Sequence, residues 1–128
     1  MIEALIPAFR HDGEMTTLTE VLGRVAGSAW NWRLLDFDGT SKRHADLDVQ
    51  KLQRSLEHAV EGLDYSWSAL VYFGELVFQP FDATLVASDG IGKCVLVLEV
   101  RDSTYWRILA DEASPQAITS LERISQLQ

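Results

Sequence analysis

Cysteine is almost absent from this 128-residue sequence: Cys94 stands alone, inside the apolar run CVLVLEV. One thiol builds neither a disulfide framework nor a Cys-x-x-Cys metal or redox pair, and a reducing cytoplasm is the expected compartment. Positive charge is the second scarcity. Nineteen acids face eleven Lys and Arg, a net charge of −8, and no Lys or Arg occurs between Arg54 and Lys93. A phosphate-backbone binder needs a basic footprint to displace counterions, so nucleic acid is not expected as a direct ligand. Long apolar stretches are missing as well. No 18 consecutive apolar residues occur, and the opening MIEALIPAFRHDGE has no basic leader followed by an apolar core. Neither a membrane span nor a standard export signal is expected. His11, His44 and His58 lie far apart, with no second histidine at i+3 or i+4 to share a metal on a helix face. No metal or other cofactor is anticipated.

With 47% hydrophobic and 23% charged residues, the chain has the material for one core, and residues 1–128 read as a single domain. Thr17-Leu18-Thr19-Glu20 is a capping box, and Leu18, Val21, Leu22 and Val25 follow at helical spacing, which predicts a helix near 18–26 stopped by Gly27. Trp30, Trp32 and Leu34 alternate with polar residues, the period of a half-buried strand, and put both tryptophans on the core face. Asp46 or Asp48 then caps a second helix whose stripe is Val49, Leu52, Leu56, Ala59, Val60 and Leu63. From Trp67 the strings WSALVYF, ELVFQPF, ATLVAS, CVLVLEV and TYWRILA are rich in β-branched and aromatic residues and read as strands. The breaks between them are too short for parallel crossovers, so neighbours should be antiparallel. Ser114-Pro115 opens a closing amphipathic helix with Ile118, Leu121, Ile124 and Leu127. The expected fold is α+β: a mainly antiparallel sheet covered by helices, in the order α-β-α-β-β-β-β-α.

The string Leu34-Leu35-Asp36-Phe37-Asp38-Gly39-Thr40 places two carboxylates at i and i+2 after an apolar run. It resembles the first motif of haloacid dehalogenase-type phosphatases, where the first Asp attacks phosphorus, the second is acid/base, and the pair helps bind magnesium. Ser88, Lys93 and Asp102 match the later motifs loosely, with one acid where two are wanted. Against this, that motif lies on a central parallel strand buried on both faces, whereas WNWRLL alternates. Asp38-Gly39 is also a common turn pair. The string is therefore read as a β-turn, with a phosphatase using Asp36 and Asp38 as the alternative, and no residue is assigned a catalytic role. Cys94, in mid-strand, reads as a small hydrophobe rather than a nucleophile.

Six acids, Glu57, Glu61, Asp64, Glu75, Asp82 and Asp89, lie in the base-free segment. A field of one sign steers a partner of the other and speeds docking at low salt. Most aromatics are expected in the core, but Tyr65 and Trp67 fall among these acids, where a Lys or Arg could meet both charge and a ring face. The candidate partner-binding residues are Glu57, Glu61, Asp64, Tyr65, Trp67, Glu75 and Asp82.

LVASDGIGKCVLVL over residues 85–98, then YWRILAD over 105–111 and a final amphipathic helix, resemble the C-terminal half of SUKH-superfamily domains. These have an apolar strand, an S-D-G-x-G turn, a second strand, a Tyr/Trp-containing strand and a closing helix. Many members are immunity proteins that neutralise nuclease or other toxins. The resemblance implies a non-catalytic protein, monomer or homodimer, that occludes a basic toxin. An acidic secretion-effector chaperone of similar size and charge is the other binding reading.

Overall fold

Along Asn31–Ser41, Trp32, Leu34 and Phe37 are buried while Asn31, Arg33, Asp36 and Asp38 face water, so this strand has one wet and one dry side. The same division runs through the whole sheet. The computed structural model describes residues 1–26 and 29–128. Its elements are β1 (Ile2–Pro7), α1 (Leu18–Leu22), β2 (Asn31–Ser41), α2 (Val49–Glu57), β3 (Leu63–Tyr65), α3 (Trp67–Leu76), β4 (Val77–Ser88), β5 (Cys94–Arg101), β6 (Tyr105–Ala110) and α4 (Pro115–Ser125). All strand pairs are antiparallel, in the order β1-β6-β5-β4-β2-β3. This is the expected α+β class, a sheet with helices laid on its dry face.

The core lies between that face and α1, α3 and α4. Ile6, Trp106, Ile108, Leu96, Leu98, Leu85 and Leu34 come from the strands, and Leu18, Leu22, Leu70, Phe73 and Ile124 from the helices. The wet face carries Glu3, Leu5, Arg107, Glu99, Arg101, Asp82 and Asp36. It is an ion-pair lattice: Arg101 Nη1 sits 2.8 Å from Asp36 Oδ2, and Arg107 Nε 3.2 Å from Glu3 Oε1.

The element order differs from expectation in four places. WSALVYF, expected as a strand, is helix α3. Ser66 caps it, its hydroxyl accepting from the Ala69 N–H at 3.1 Å, and Leu70, Phe73 and the buried Gly74 face the core at helical spacing. A helix apolar on nearly all sides has lost the periodicity that marks helices, and its aromatics then mimic a strand. Of ELVFQPF, Glu75 and Leu76 end α3, and VFQPF joins ATLVAS in one strand, β4, with Pro80 inside it next to a register shift, where a missing N–H is tolerated. The unassigned IEALIP is strand β1. Finally α2 ends at Glu57, so Ala59 and Val60 leave the expected stripe and Leu63 belongs to β3; Val60 is 99% exposed. Gly27, the expected stop of the first helix, lies outside the described residues, and α1 itself ends at Leu22.

Asp38-Gly39 is not a turn. Both residues are in β2, and the pairing with β4 shifts register between them, a bulge. Glycine is needed there for closeness: a Cβ on Gly39 would sit 2.5 Å from the Gln79 carbonyl oxygen and 3.0 Å from Pro80 Cα. Trp32 is buried as expected, and Trp30 packs partly buried beside it, ring centroids 6.2 Å apart.

The capping box forms as the sequence predicts. Thr17 Oγ1 accepts from the Glu20 N–H at 3.1 Å, and Glu20 Oε1 accepts from the Thr17 N–H at 3.0 Å. Arg10 Nη1 reaches Glu20 Oε2 at 2.6 Å. Burial pushes the Glu20 carboxyl up, but the Thr17 N–H and the Arg10 guanidinium outweigh it and hold it below its ordinary value. A folded-state value below the unfolded one means that this carboxylate stabilises the fold above the unfolded value, and that the contribution is lost as pH falls through the folded one. Glu20→Gln is therefore expected to flatten the acid limb of stability against pH, measured by urea unfolding from neutral pH downward. Identical limbs would remove this role.

Candidate functional site: an acidic cleft beside β2

After Leu34 a register shift puts both Leu35 and Asp36 on the wet side of β2, followed by buried Phe37 and exposed Asp38. Helix α2 lies against this strand. Asp48 starts it by accepting from the Lys51 N–H at 3.0 Å, and Val49, Leu52 and Leu56 pack on the core, which sets the rotation of the helix. Gln53 and Glu57 then turn toward β2, and Lys51 and Ser55 turn away. Gln53 Nε2 locks the arrangement by donating to Asp38 Oδ1 at 3.0 Å and to the Phe37 carbonyl at 3.3 Å.

Between strand and helix opens a cleft of about 350 Å³, with Leu35, Phe37 and Leu56 as apolar lining and Asp36, Asp38 and Glu57 as carboxylates. Leu35 is 42% exposed. Glu61 and Asp64 continue the acid along the β3 edge, held around Arg33: Asp64 Oδ1 is 3.3 Å from Arg33 Nε and Glu61 Oε2 is 4.0 Å from Arg33 Nη1. On the other side Asp82 pairs with Asp38 across β2 and β4, accepts from the Asp102 N–H at 3.1 Å, and stands 4.0 Å from Arg101. Arg33 and Arg101 offset part of the repulsion and keep the carboxylates in place.

Of the candidate residues, Glu57, Glu61, Asp64 and Asp82 thus fall on one continuous surface. Glu75 is set apart from them: it sits near the C-terminal end of α3, beside the Ser41 end of β2, roughly 10 Å of strand beyond Asp38 and roughly 25 Å from Arg33. Tyr65 and Trp67 are drawn inward from this surface. Both are only partly exposed and pack on the core, Tyr65 against Phe73 at 5.6 Å and Trp67 against Trp32 at 5.7 Å between centroids. Burial pushes the Tyr65 hydroxyl up. Their rings rest partly on the core through the helix that the sequence disguised as a strand, and Tyr65 also lines a surface hollow with Arg33 and Asp64.

Two further carboxylates line the cleft, Asp36 and Asp38, read in the sequence only as a turn or a phosphatase pair. Their alternation with Phe37 was the signal, since it marks the wet side of a strand. Phosphatase geometry is not what surrounds them. They lie in mid-strand, paired antiparallel with β4, and Asp36 is engaged by Arg101. Lys93 follows Ser88 in the β4–β5 turn, at least four residues or roughly 13 Å of strand beyond Thr84, the partner of Asp36, and is bound to Asp111 Oδ2 at 2.9 Å. Cys94 is half-buried, and burial pushes its thiol up, away from the reactive thiolate. Among the described residues no three His, Cys, Asp or Glu side chains are placed to hold a metal ion, and no helix is long and apolar enough to cross a membrane.

Compared with family models, curated proteins and solved structures, the chain matches none of them.

Proposed function

We propose that this protein is a non-catalytic binding module that receives a basic protein partner on the cleft between β2 and α2. The observation that carries the reading is the convergence of Asp36, Asp38 and Glu57 on one mainly polar cleft with Leu35 and Leu56 among them, flanked by Glu61 and Asp64 on one side and Asp82 on the other. Carboxylates beside the apolar side chains of Leu35 and Leu56 suit the head and stem of a Lys or Arg side chain, which rests its methylenes on them and keeps its charge paired. A basic active cleft that binds nucleic acid is a natural complement, because carboxylates can stand where phosphates would. The partner class is therefore a nuclease-type toxin, neutralised by occlusion in the cytoplasm. The resemblance of residues 85–111 to SUKH-superfamily immunity proteins supports the same reading, as does the single half-buried thiol, which suits a reducing compartment.

The test begins by capturing partners from lysate of the host at low salt and identifying them by mass spectrometry. Association of the captured protein is then compared for the wild type, for Asp38→Asn/Glu57→Lys/Glu61→Lys, and for Glu75→Lys at the far end of β2. The triple variant is expected to slow association at least about tenfold at low salt, and Glu75→Lys to change it little. A basic toxin domain with this pattern supports the reading. A secreted effector as the captured protein would replace it with the chaperone reading, and equal rates for all three proteins would remove the cleft from the interface.

A further inference from the structure

The two edges of the sheet are built differently. At the β3 edge the strand is three residues long and carries Asp64, and beyond it β2 is flanked by α2, with Gln53 on the Phe37 carbonyl. Short strands, charges and covering elements are how proteins keep an edge from pairing with another chain. At the β1 edge the protection between Ile2 and Ile6 comes down to one charge, Glu3, which is paired with Arg107 on the wet face; there is no Lys, no Pro, and no register shift against β6. Ile2 and Leu5 are 43% and 55% exposed there.

The direction of the free groups follows from the ladder. Ala8 N–H donates to the Thr104 carbonyl at 2.9 Å, continuing the register in which Ile6 faces Trp106 and Ile2 faces Ala110. Backbone groups of alternate residues point the same way in an antiparallel pair. Ile2, Ala4 and Ile6 therefore bond toward β6, and the N–H and C=O of Glu3 and Leu5 point outward. Pro7 falls in the outward phase, where its lack of an N–H breaks nothing. Its carbonyl is taken by Thr16 Oγ1 at 3.3 Å, which ends the free edge.

Only a few registers let this edge pair with itself. Centring on Glu3 would set Glu3 against its own copy, like charge on like. Centring on Leu5 would pair Glu3 with Pro7, which has no donor and whose carbonyl is occupied. Centring on Ala4 pairs Glu3 with Leu5 twice, so that four outward N–H and C=O pairs close four hydrogen bonds, and Ile2 meets Ile6 on the dry face. We propose that β1 is the interface of a homodimer in which two copies pair antiparallel about a two-fold axis through Ala4. Each six-stranded sheet continues into the other, and the acidic clefts stand at the two far ends. The dimer does not depend on what those clefts bind.

The mass in solution is read by light scattering and sedimentation over a broad concentration series, for the wild type and Leu5→Pro. Proline at this position removes an outward N–H and leaves the bonds to β6 intact, as Pro7 already does. The wild type is expected to be a dimer, and the variant to raise its dissociation constant at least about tenfold while keeping the same circular dichroism. In a Cys94→Ala background, Ala4→Cys places two thiols at a non-hydrogen-bonded pair on the axis, a separation that a disulfide spans, whereas Glu3→Cys faces Leu5 of the second copy. Ala4→Cys should cross-link under mild oxidation and Glu3→Cys should not; this also decides the matter if Leu5→Pro fails to fold. A monomer at every concentration, or a dimer that Ala4→Cys does not cross-link, would overturn the proposal.

Discussion

Trp106→Ala is expected to remove about 3–5 kcal/mol of folding stability, a large part of what a domain of this size possesses. Trp106 is fully buried near the start of β6, between Ile6 of β1 and Val100 of β5 in the ladder. Its Nε1–H donates to the Thr16 carbonyl at 3.2 Å, which ties the segment leading into α1 to the sheet. Alanine would open a cavity and also leave that carbonyl buried without its donor, and the two losses act on the same contact. Trp106→Phe keeps most of the ring packing and loses the hydrogen bond, so about 1–3 kcal/mol is expected for it. Urea unfolding separates them: both midpoints should fall with the slope unchanged, alanine by more. A phenylalanine variant as stable as the wild type would show that the bond to Thr16 contributes nothing.

Gly62→Ala should be the most damaging small substitution, with a loss of about 2–3 kcal/mol. Gly62 has φ +86°, and a Cβ there would sit 2.7 Å from the Leu34 carbonyl oxygen and 2.6 Å from Leu35 Cδ2. A side chain can move aside; a carbonyl in a ladder cannot without opening the pairing of β2 with β3. The damage should therefore be local as well as global. Amide exchange in Leu63–Tyr65 is expected to accelerate more than in β5 or β6, and partner binding to weaken, since Glu61 and Asp64 flank the glycine. Uniform exchange rates across the sheet would show that the strain spreads rather than opening β3.

What was legible in the sequence was what depends on neighbours three or four residues away. The capping box at Thr17, the Ser114-Pro115 start of α4 and the antiparallel pairing of β5 with β6 all follow from local chemistry and short connections. The misread segments are those whose surroundings override local preference. Residues 67–76 look like a strand because α3 is packed on several sides, and its true signals are Ser66 at the cap and the spacing of Leu70, Phe73 and Gly74. Asp38-Gly39 looks like a turn because the pair suits turns, but the close approach of β4 makes it a bulge.

The acidic surface divides in the same way. Charge composition alone determined that the segment from Arg54 to Lys93 would project a negative field, because no base within it can offset its acids. Which carboxylates act together was decided by the sheet. Pairing of β2 with β3 and β4, and the rotation of α2 set by Val49, Leu52 and Leu56, bring Asp36, Asp38, Glu57, Glu61, Asp64 and Asp82 onto one surface and carry Glu75 away from it. Charge is a property of the residues and survives any fold, whereas proximity between residues distant in the chain exists only once strands have chosen their partners and register.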